Sequence, residues 1–338
     1  MTTSTLQALL AQMSAQIPPS GRNKIAVIGA GSLGSAVTMC LVAQRVGTEI
    51  VLIDKDITLV RNELQDIKNS DGYMGITHIE YSTDIAECKD SKIIVITAGK
   101  PMPDTVVFDK RIMKHNVDIY LRIIPEIMAA NPRPILIVVT SPVDLMSQVA
   151  WKLSGLPNTR VIGTGCCVLS KRFRQMVGQK LGLSPHTVQA LVLGENSKDC
   201  IPLWNSVSVC GIRLRDINKQ FGMDNDPEHW TDHFKKMLHS NLNIIRLKKD
   251  NIYGLAGCVA HIATAIIQDS KECFTVSTHL KGCRHGNDKS KDVFLSMPCI
   301  LGSNGVQFIV RQVLTQLEKD KLQETANKYK FIQSDLVY

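Results

Sequence analysis

Short, unbroken apolar runs separated by longer mixed stretches set the rhythm of the first half of the chain. Residues 24–28 (KIAVI), 50–53 (IVLI), 93–97 (IIVIT) and 135–139 (ILIVV) are rich in Ile and Val. They lack the alternation of a strand with one wet face, so each reads as a strand buried on both sides of a parallel sheet. Helical spacing fills the gaps at 32–44 and 111–128, the second stopping before Asn131-Pro132, where proline opposes continuation. Such alternation predicts a doubly wound α/β sheet. After about residue 162 helices dominate, and 188–193 with 207–212 read as antiparallel strands. A short helical candidate at 5–10 precedes Pro18-Pro19. The expected division is an N-terminal arm (1–21), a parallel-sheet domain (22–162) and an α+β domain (163–338).

Between the first strand and its helix runs Gly29-Ala30-Gly31-Ser32-Leu33-Gly34. Glycines at these spacings permit a tight turn, close approach of backbone N–H groups to a pyrophosphate, and close helix–strand packing. Asp54 follows the second strand, twenty residues past Gly34. A carboxylate there accepts hydrogen bonds from ribose hydroxyls and repels a 2′-phosphate, which predicts NAD rather than NADP as cofactor.

Composition narrows the class. Apolar content of 44% and charged content of 21% are those of a folded domain. No apolar run approaches bilayer thickness, so no membrane span is expected. The net charge is +8, but no run reaches five like charges, and nucleic-acid binding is not expected. Ten cysteines without C-x-x-C spacing suit reduced thiols in a cytoplasmic setting. Residues 1–20 contain no charged side chain and resemble no presequence. His229 and His233, four apart, place two imidazoles on one predicted helical face, without a third ligand to complete a metal site.

Residues 192–202 read VLGENSKDCIP, which resembles the stretch of L-lactate dehydrogenases that carries the catalytic histidine (VLGEHGDSSVP). The resemblance extends over about residues 4–338 and is specific at 23–34 (NKIAVIGAGSLG), 95–99 (VITAG), 149–165 (VAWKLSGLPNTRVIGTG) and 294–305 (FLSMPCILGSNG). It implies a Rossmann-type NAD-binding domain followed by an α+β substrate domain, an N-terminal arm that clasps neighbouring subunits, and a homo-oligomer or a hetero-oligomer with related subunits. It also assigns Thr97, Ala98, Gly99 and Lys100 to the cofactor side, beside Gly29, Gly31, Gly34 and Asp54. Lys100 is the substitute for an arginine that Pro101 replaces.

In that family a histidine donates the proton as hydride reaches the substrate carbonyl, an aspartate orients it, and a loop arginine polarises the carbonyl. A second arginine clamps the substrate carboxylate. Residue by residue, the resemblance places Asn196 at the histidine, Leu169 at the aspartate (GCCVLSKR against GCNLDSAR) and Asp109 at the polarising arginine. Ser141 replaces an asparagine that supports substrate and nicotinamide. Arg172 matches the carboxylate clamp, leaving a small 2-oxo acid or dicarboxylate anion as a partner; a surface or interface arginine is the other reading. The mobile loop is one residue longer than the common version, so a shift of one or two places would bring Lys110 or Arg111 to the polarising position. Residues 281–289 (KGCRHGNDK) form a further insertion.

An amide does not exchange a proton near neutral pH. Losing a general acid typically costs about 10²–10⁴ in rate, and losing an electrostatic polariser about 10²–10³. Glu195 and Asp199 flank Asn196, but exposed carboxylates are poor donors. Leu169 and Asn196 are physically consistent with each other, since an aspartate deprived of its histidine would be an unpaired buried charge costing roughly 3–5 kcal/mol. Three readings follow: a catalytically impaired NAD-binding pseudoenzyme, an active NAD-dependent L-lactate or 2-hydroxy-acid dehydrogenase with a modified site, or a non-catalytic scaffold subunit.

Overall fold

Alternate residues of the apolar strands feed two different cores. In the computed structural model, which describes residues 23–70, 73, 78–102, 109–248, 250–280 and 293–334, the first strands are β1 (Lys24–Ile28), β2 (Glu49–Ile53), β4 (Ile93–Ile96) and β5 (Ile135–Val138). Ile25, Val27, Ile50, Leu52, Ile93 and Val95 join one cluster. Their neighbours Ala26, Ile28, Val51, Ile53, Ile94 and Ile96 join the other. Period-two projection through a sheet covered on both sides explains why these runs carry no polar alternation.

Strand β3 (His78–Ser82) closes one edge and β6 (Val161–Gly163) follows β5, giving the order β3-β2-β1-β4-β5-β6 with parallel pairing throughout. The order reverses between β1 and β4, which opens a crevice beyond their carboxyl ends. Helices α1 (Ser32–Ala43), α2 (Ile57–Asn69), α3 (Lys110–Ala130) and α4 (Val143–Ser154) make the crossovers. The expected strands and the two expected helices are present within two residues at each end. Polar β3, with only Ile79 buried, had no apolar run to announce it.

The second half contains α5 (Cys167–Leu181), short strands β7 (Val188–Gln189), β8 (Val192–Leu193), β9 (Ile201–Pro202), β10 (Ser208–Val209) and β11 (Ile212–Arg213), then α6 (Trp230–Lys248) and α7 (Tyr253–Gln268). Strand β10 pairs antiparallel with β7, in line with the expected pairing of the two stretches, whereas β8 turns to β9 instead. A meander of β12 (Cys273–His279), β13 (Phe294–Gly302) and β14 (Gly305–Ile309) then extends the large sheet beyond β6, through Ser277 opposite Gly163, to nine strands. Helix α8 (Gln316–Ser334) ends the fold. The architecture is a Rossmann-type parallel sheet followed by an α+β half. Among the described residues, no helix is long and apolar enough to cross a membrane. The expected arm, residues 103–108 of the loop and the insertion at 281–289 lie outside the described residues.

Candidate functional site

The carboxyl ends of β1 and β4 are locked together before any ligand enters. Gly29 has φ +109°, and a Cβ there would meet Thr97 Oγ1 at 2.7 Å and the Ala98 nitrogen at 2.8 Å. Thr97 Oγ1 donates to the Gly29 and Ile28 carbonyls at 3.0 and 3.1 Å. A Cβ on Gly34 would lie 1.7 Å from the Gly29 oxygen, so the helix approaches its strand only as glycine. Around Gly31, by contrast, a Cβ would meet nothing within 4 Å. Gly31 also caps α1 without a side-chain hydrogen bond, leaving first-turn N–H groups available to a phosphate. At the end of β2, Asp54 accepts from the Ala30 nitrogen at 2.8 Å and from the Asp56 nitrogen at 3.0 Å. Each oxygen retains lone-pair capacity for a ribose hydroxyl. Open space at Gly31, an uncapped helix start and a carboxylate at the next strand end fit a dinucleotide.

The next loops are held by one buried amide. Asn116 on α3 accepts from the Lys100 nitrogen at 2.7 Å. It donates to the carbonyls of Lys100 at 3.0 Å and Ser141 at 2.9 Å. Thr140 Oγ1 donates to Ala98 O at 2.8 Å, and Gly99 leaves no room for a side chain against Thr140 and Asn116. Thr97, Ala98, Gly99, Lys100 and Ser141 are thus brought to one rim. Asn116 is a positioning residue to which the sequence analysis gave no role. Its signal was present, as a polar residue in the apolar stripe of Met113, Val117 and Tyr120.

A turn docked on the first turn of α4 carries Asn196. Gly194, at φ +82°, exchanges backbone hydrogen bonds with Ser296 of β13 at 2.9 and 2.8 Å. The Asn196 N–H then donates to Asp144 Oδ2 at 3.0 Å. The Asn196 side chain is exposed and makes no hydrogen bond among the described residues. Behind the turn, Asp144 is 1% exposed, and burial raises its carboxyl to about 7, against the opposing hydrogen bond from Asn196. The turn's N–H occupies its Oδ2, and Ser296 Oγ lies 3.4 Å from its Oδ1.

The flanking carboxylates are committed as well. Glu195, expected on the surface, is buried, because its turn packs under α8; Lys328 reaches its Oε2 at 3.0 Å and Asp199 Oδ2 at 3.3 Å. Both carboxylates are therefore ion-paired rather than poised as donors. Tyr329, also buried, has its hydroxyl driven well up by burial and by Asp144 and Glu195. The sequence reading did not single out Asp144, Lys328 or Tyr329. Asp144 carried a faint signal as an acid in the first turn of a helix.

Leu169 is 8% exposed in an apolar cluster with Phe173, Met176, Cys200 and Trp204. Asp109 caps α3, accepting from the nitrogens of Arg111 at 2.9 Å and Ile112 at 3.4 Å. Those N–H groups, chiefly that of Arg111, hold its carboxyl below the usual range. Arg111 is exposed and pairs back to Asp109 at 3.6 Å. Arg172 is half-buried, which lowers its pKa; its Nη2 donates to the Met237 carbonyl and to Ser240 Oγ at 2.8 Å. That nitrogen ties α5 to α6, so an incoming carboxylate would meet the remainder of the guanidinium. His229 departs from the expected helical pair. It precedes α6 at φ +53° and faces Asp232 at 3.8 Å.

Open glycine cradle, strand-end carboxylate and switch-point crevice define an NAD-binding dehydrogenase fold. Residues 23–163 match the family model described as lactate/malate dehydrogenase, NAD binding domain, and residues 170–334 its alpha/beta C-terminal domain. The chain is 34% identical over 333 residues to L-lactate dehydrogenase A-like 6A of Homo sapiens, covering 98% of this chain and 99% of that protein. It is 33% identical over 320 residues to the L-lactate dehydrogenase A chain of Python regius, covering 95% of each. The corresponding chain of Danio rerio is 34% identical over 335 residues, with 98% and 99% covered. The chain belongs to the lactate/malate dehydrogenase family, and NAD is its cofactor.

Proposed function

We propose that this protein binds NAD(H) in the Gly29–Gly31–Gly34 cradle, with Asp54 on the adenosine ribose, but is a pseudoenzyme for L-lactate dehydrogenase chemistry. Bound NADH supplies a hydride; the chain must supply the proton and the carbonyl polariser. The observation that carries the reading is the Asn196 turn. Asn196 presents an exposed amide, while the nearby acid that burial raises to about 7, Asp144, is buried and accepts from the Asn196 backbone N–H. Asp109 at the polariser position is an anion spent on a helix cap, and it would oppose carbonyl polarisation. Leu169 offers a protonated imidazole nothing to pair with.

Within this reading, Ser141 and the free part of the Arg172 guanidinium hold a small 2-oxo or dicarboxylate anion beside the nicotinamide. The protein acts in the cytoplasm as a homo-oligomer or as a regulatory subunit among related active chains, without nucleic-acid or membrane partners. The test is paired. Calorimetric titration with NADH is expected to show binding, and steady-state oxidation of NADH with pyruvate is expected to stay about 10²–10⁴ below an active family member assayed alongside. Turnover near that of the active enzyme would overturn the proposal.

A further inference from the structure

Asn196 sits in a short segment whose two ends are pinned by backbone. Leu193 pairs with Ile201 across β8 and β9, and Gly194 exchanges hydrogen bonds with Ser296. Between these anchors the turn has local contacts: the Ser197 N–H donates to the Glu195 carbonyl at 2.9 Å, and the Asp199 N–H to Ser197 Oγ at 3.0 Å. Two acids bracket it. Glu195 is 3% exposed, whereas the Asp199 side chain is about half in solvent. Lys328 spans the two, with Nζ 3.0 Å from Glu195 Oε2 and 3.3 Å from Asp199 Oδ2. Its reach is set by α8, which seats Leu322, Ala326 and Tyr329 in the same apolar core as Leu193 and Ile201. Partial burial pulls Lys328 down, but the two carboxylates outweigh it and raise it above its ordinary range, so the ammonium keeps its charge.

We propose that Lys328 is a positioning residue for the Asn196 turn, an ionic clasp from α8 that holds Glu195 in the interior and so keeps residues 195–199 closed. A carboxylate taken out of water is strongly unfavourable without a partner, and among the described ion pairs Lys328 is the cation that reaches Glu195. With the ammonium removed, Glu195 regains a partner by turning out to water, which requires the turn to open. Asp199 contributes less, since water already solvates it. Asn196 lies between the two clasped acids, and its placement follows theirs. The corner thereby depends on the C-terminal helix, 129 to 133 positions away in sequence. On the function proposed above, that dependence extends to the anion held beside NADH; the clasp itself does not rest on that reading.

Cys200, next to Asp199, reports on the turn: it is buried, and burial pushes its thiol up to about 12, so it reacts when the turn opens. Exposed Cys210 is the reference thiol in the same molecule. The reduced full-length protein is alkylated under native conditions with neutral N-ethylmaleimide, and the rate at each site is read by peptide mass mapping. Lys328→Met is expected to speed Cys200 alkylation at least about 10-fold relative to Cys210, and Lys328→Arg to keep it within about 3-fold of the wild type, with Asp199→Asn between them. Raising NaCl from about 0.05 M to about 1 M is expected to speed Cys200 in the wild type but not in Lys328→Met, because salt screens an ion pair and not packing. If Lys328→Met does not fold, as judged by circular dichroism, the wild-type salt series decides. Cys200 protection that survives Lys328→Met, or a wild-type rate indifferent to salt, overturns the proposal. A separate pyruvate titration of the wild-type NADH complex, read by NADH fluorescence, tests the anion reading: absence of binding counts against the function proposed above, while the alkylation rates still decide the clasp.

Discussion

The cofactor crevice belongs to the nine-stranded sheet and the Asn196 corner to the small β8–β9 hairpin bridged to β13 of that sheet, and the two are built from different materials. The crevice is made of backbone: a turn at Gly29, an opening at Gly31, a helix pressed against its strand at Gly34. Such a site persists wherever the fold persists. The corner depends on particular side chains, and those can change one by one while the turn keeps its shape through Gly194–Ser296 and Asn196–Asp144 hydrogen bonds. On the function proposed above, binding and chemistry are separable because backbone alone maintains the first, whereas the second requires particular side chains.

The largest expected effect comes from returning side chains to the corner. Asn196→His with Leu169→Asp, Ser141→Asn and Asp109→Arg is expected to raise pyruvate turnover by about 10²–10⁴ over the wild type, read at 340 nm. A silent but folded, NADH-binding variant would show that the backbone of the corner has drifted too. Leu169→Asp alone is expected to lose roughly 3–5 kcal/mol in a urea melt, as an unpaired carboxylate among Phe173, Met176 and Trp204. Adding Asn196→His recovers part of that loss, and the double-mutant cycle measures the pairing.

Acid titration tests the buried acid at the turn. Burial raises Asp144 from 3.8 to about 7, so its stabilising contribution is complete below about 4 and disappears as pH rises through 7. Relative to Asp144→Asn, wild-type stability is expected to decline across that window by a few kcal/mol, on the order set by such linkage. Parallel stability curves from pH 4 to 8 would remove Asp144 from the account. On the cofactor side, Gly34→Ala is expected to cost about 1–3 kcal/mol from overpacking against Gly29 and to abolish NADH binding. An unchanged NADH isotherm would break the claim that the cradle is backbone-limited.

What the sequence disclosed follows the same division. Strands buried on both faces declare themselves as apolar runs, and the glycine loop declares itself by spacing, so the parallel half was legible from residues 24–28, 29–34 and 50–54. The meander β12–β13–β14 was not, because Thr275, Ser277, Thr278 and Ser296 are buried polar residues that mask its apolar pattern. Asn196, Leu169 and Asp109 were visible only as departures from the family resemblance. Their surroundings were not visible at all. That Glu195 is buried and paired to Lys328 depends on α8 returning across 133 positions of sequence, a contact with no local signature. The capping role of Asp109 was local, but comparison with an arginine obscured it.

The most direct test is a single turnover. With protein in excess over NADH and saturating pyruvate, stopped-flow absorbance at 340 nm reads the hydride step free of product release. The account predicts that NADH is bound and its absorbance persists, decaying at least about 10² more slowly than in an active family member under the same conditions. A decay as fast as that enzyme's would mean that a proton reaches the carbonyl after all, and the separation of binding from chemistry would fail.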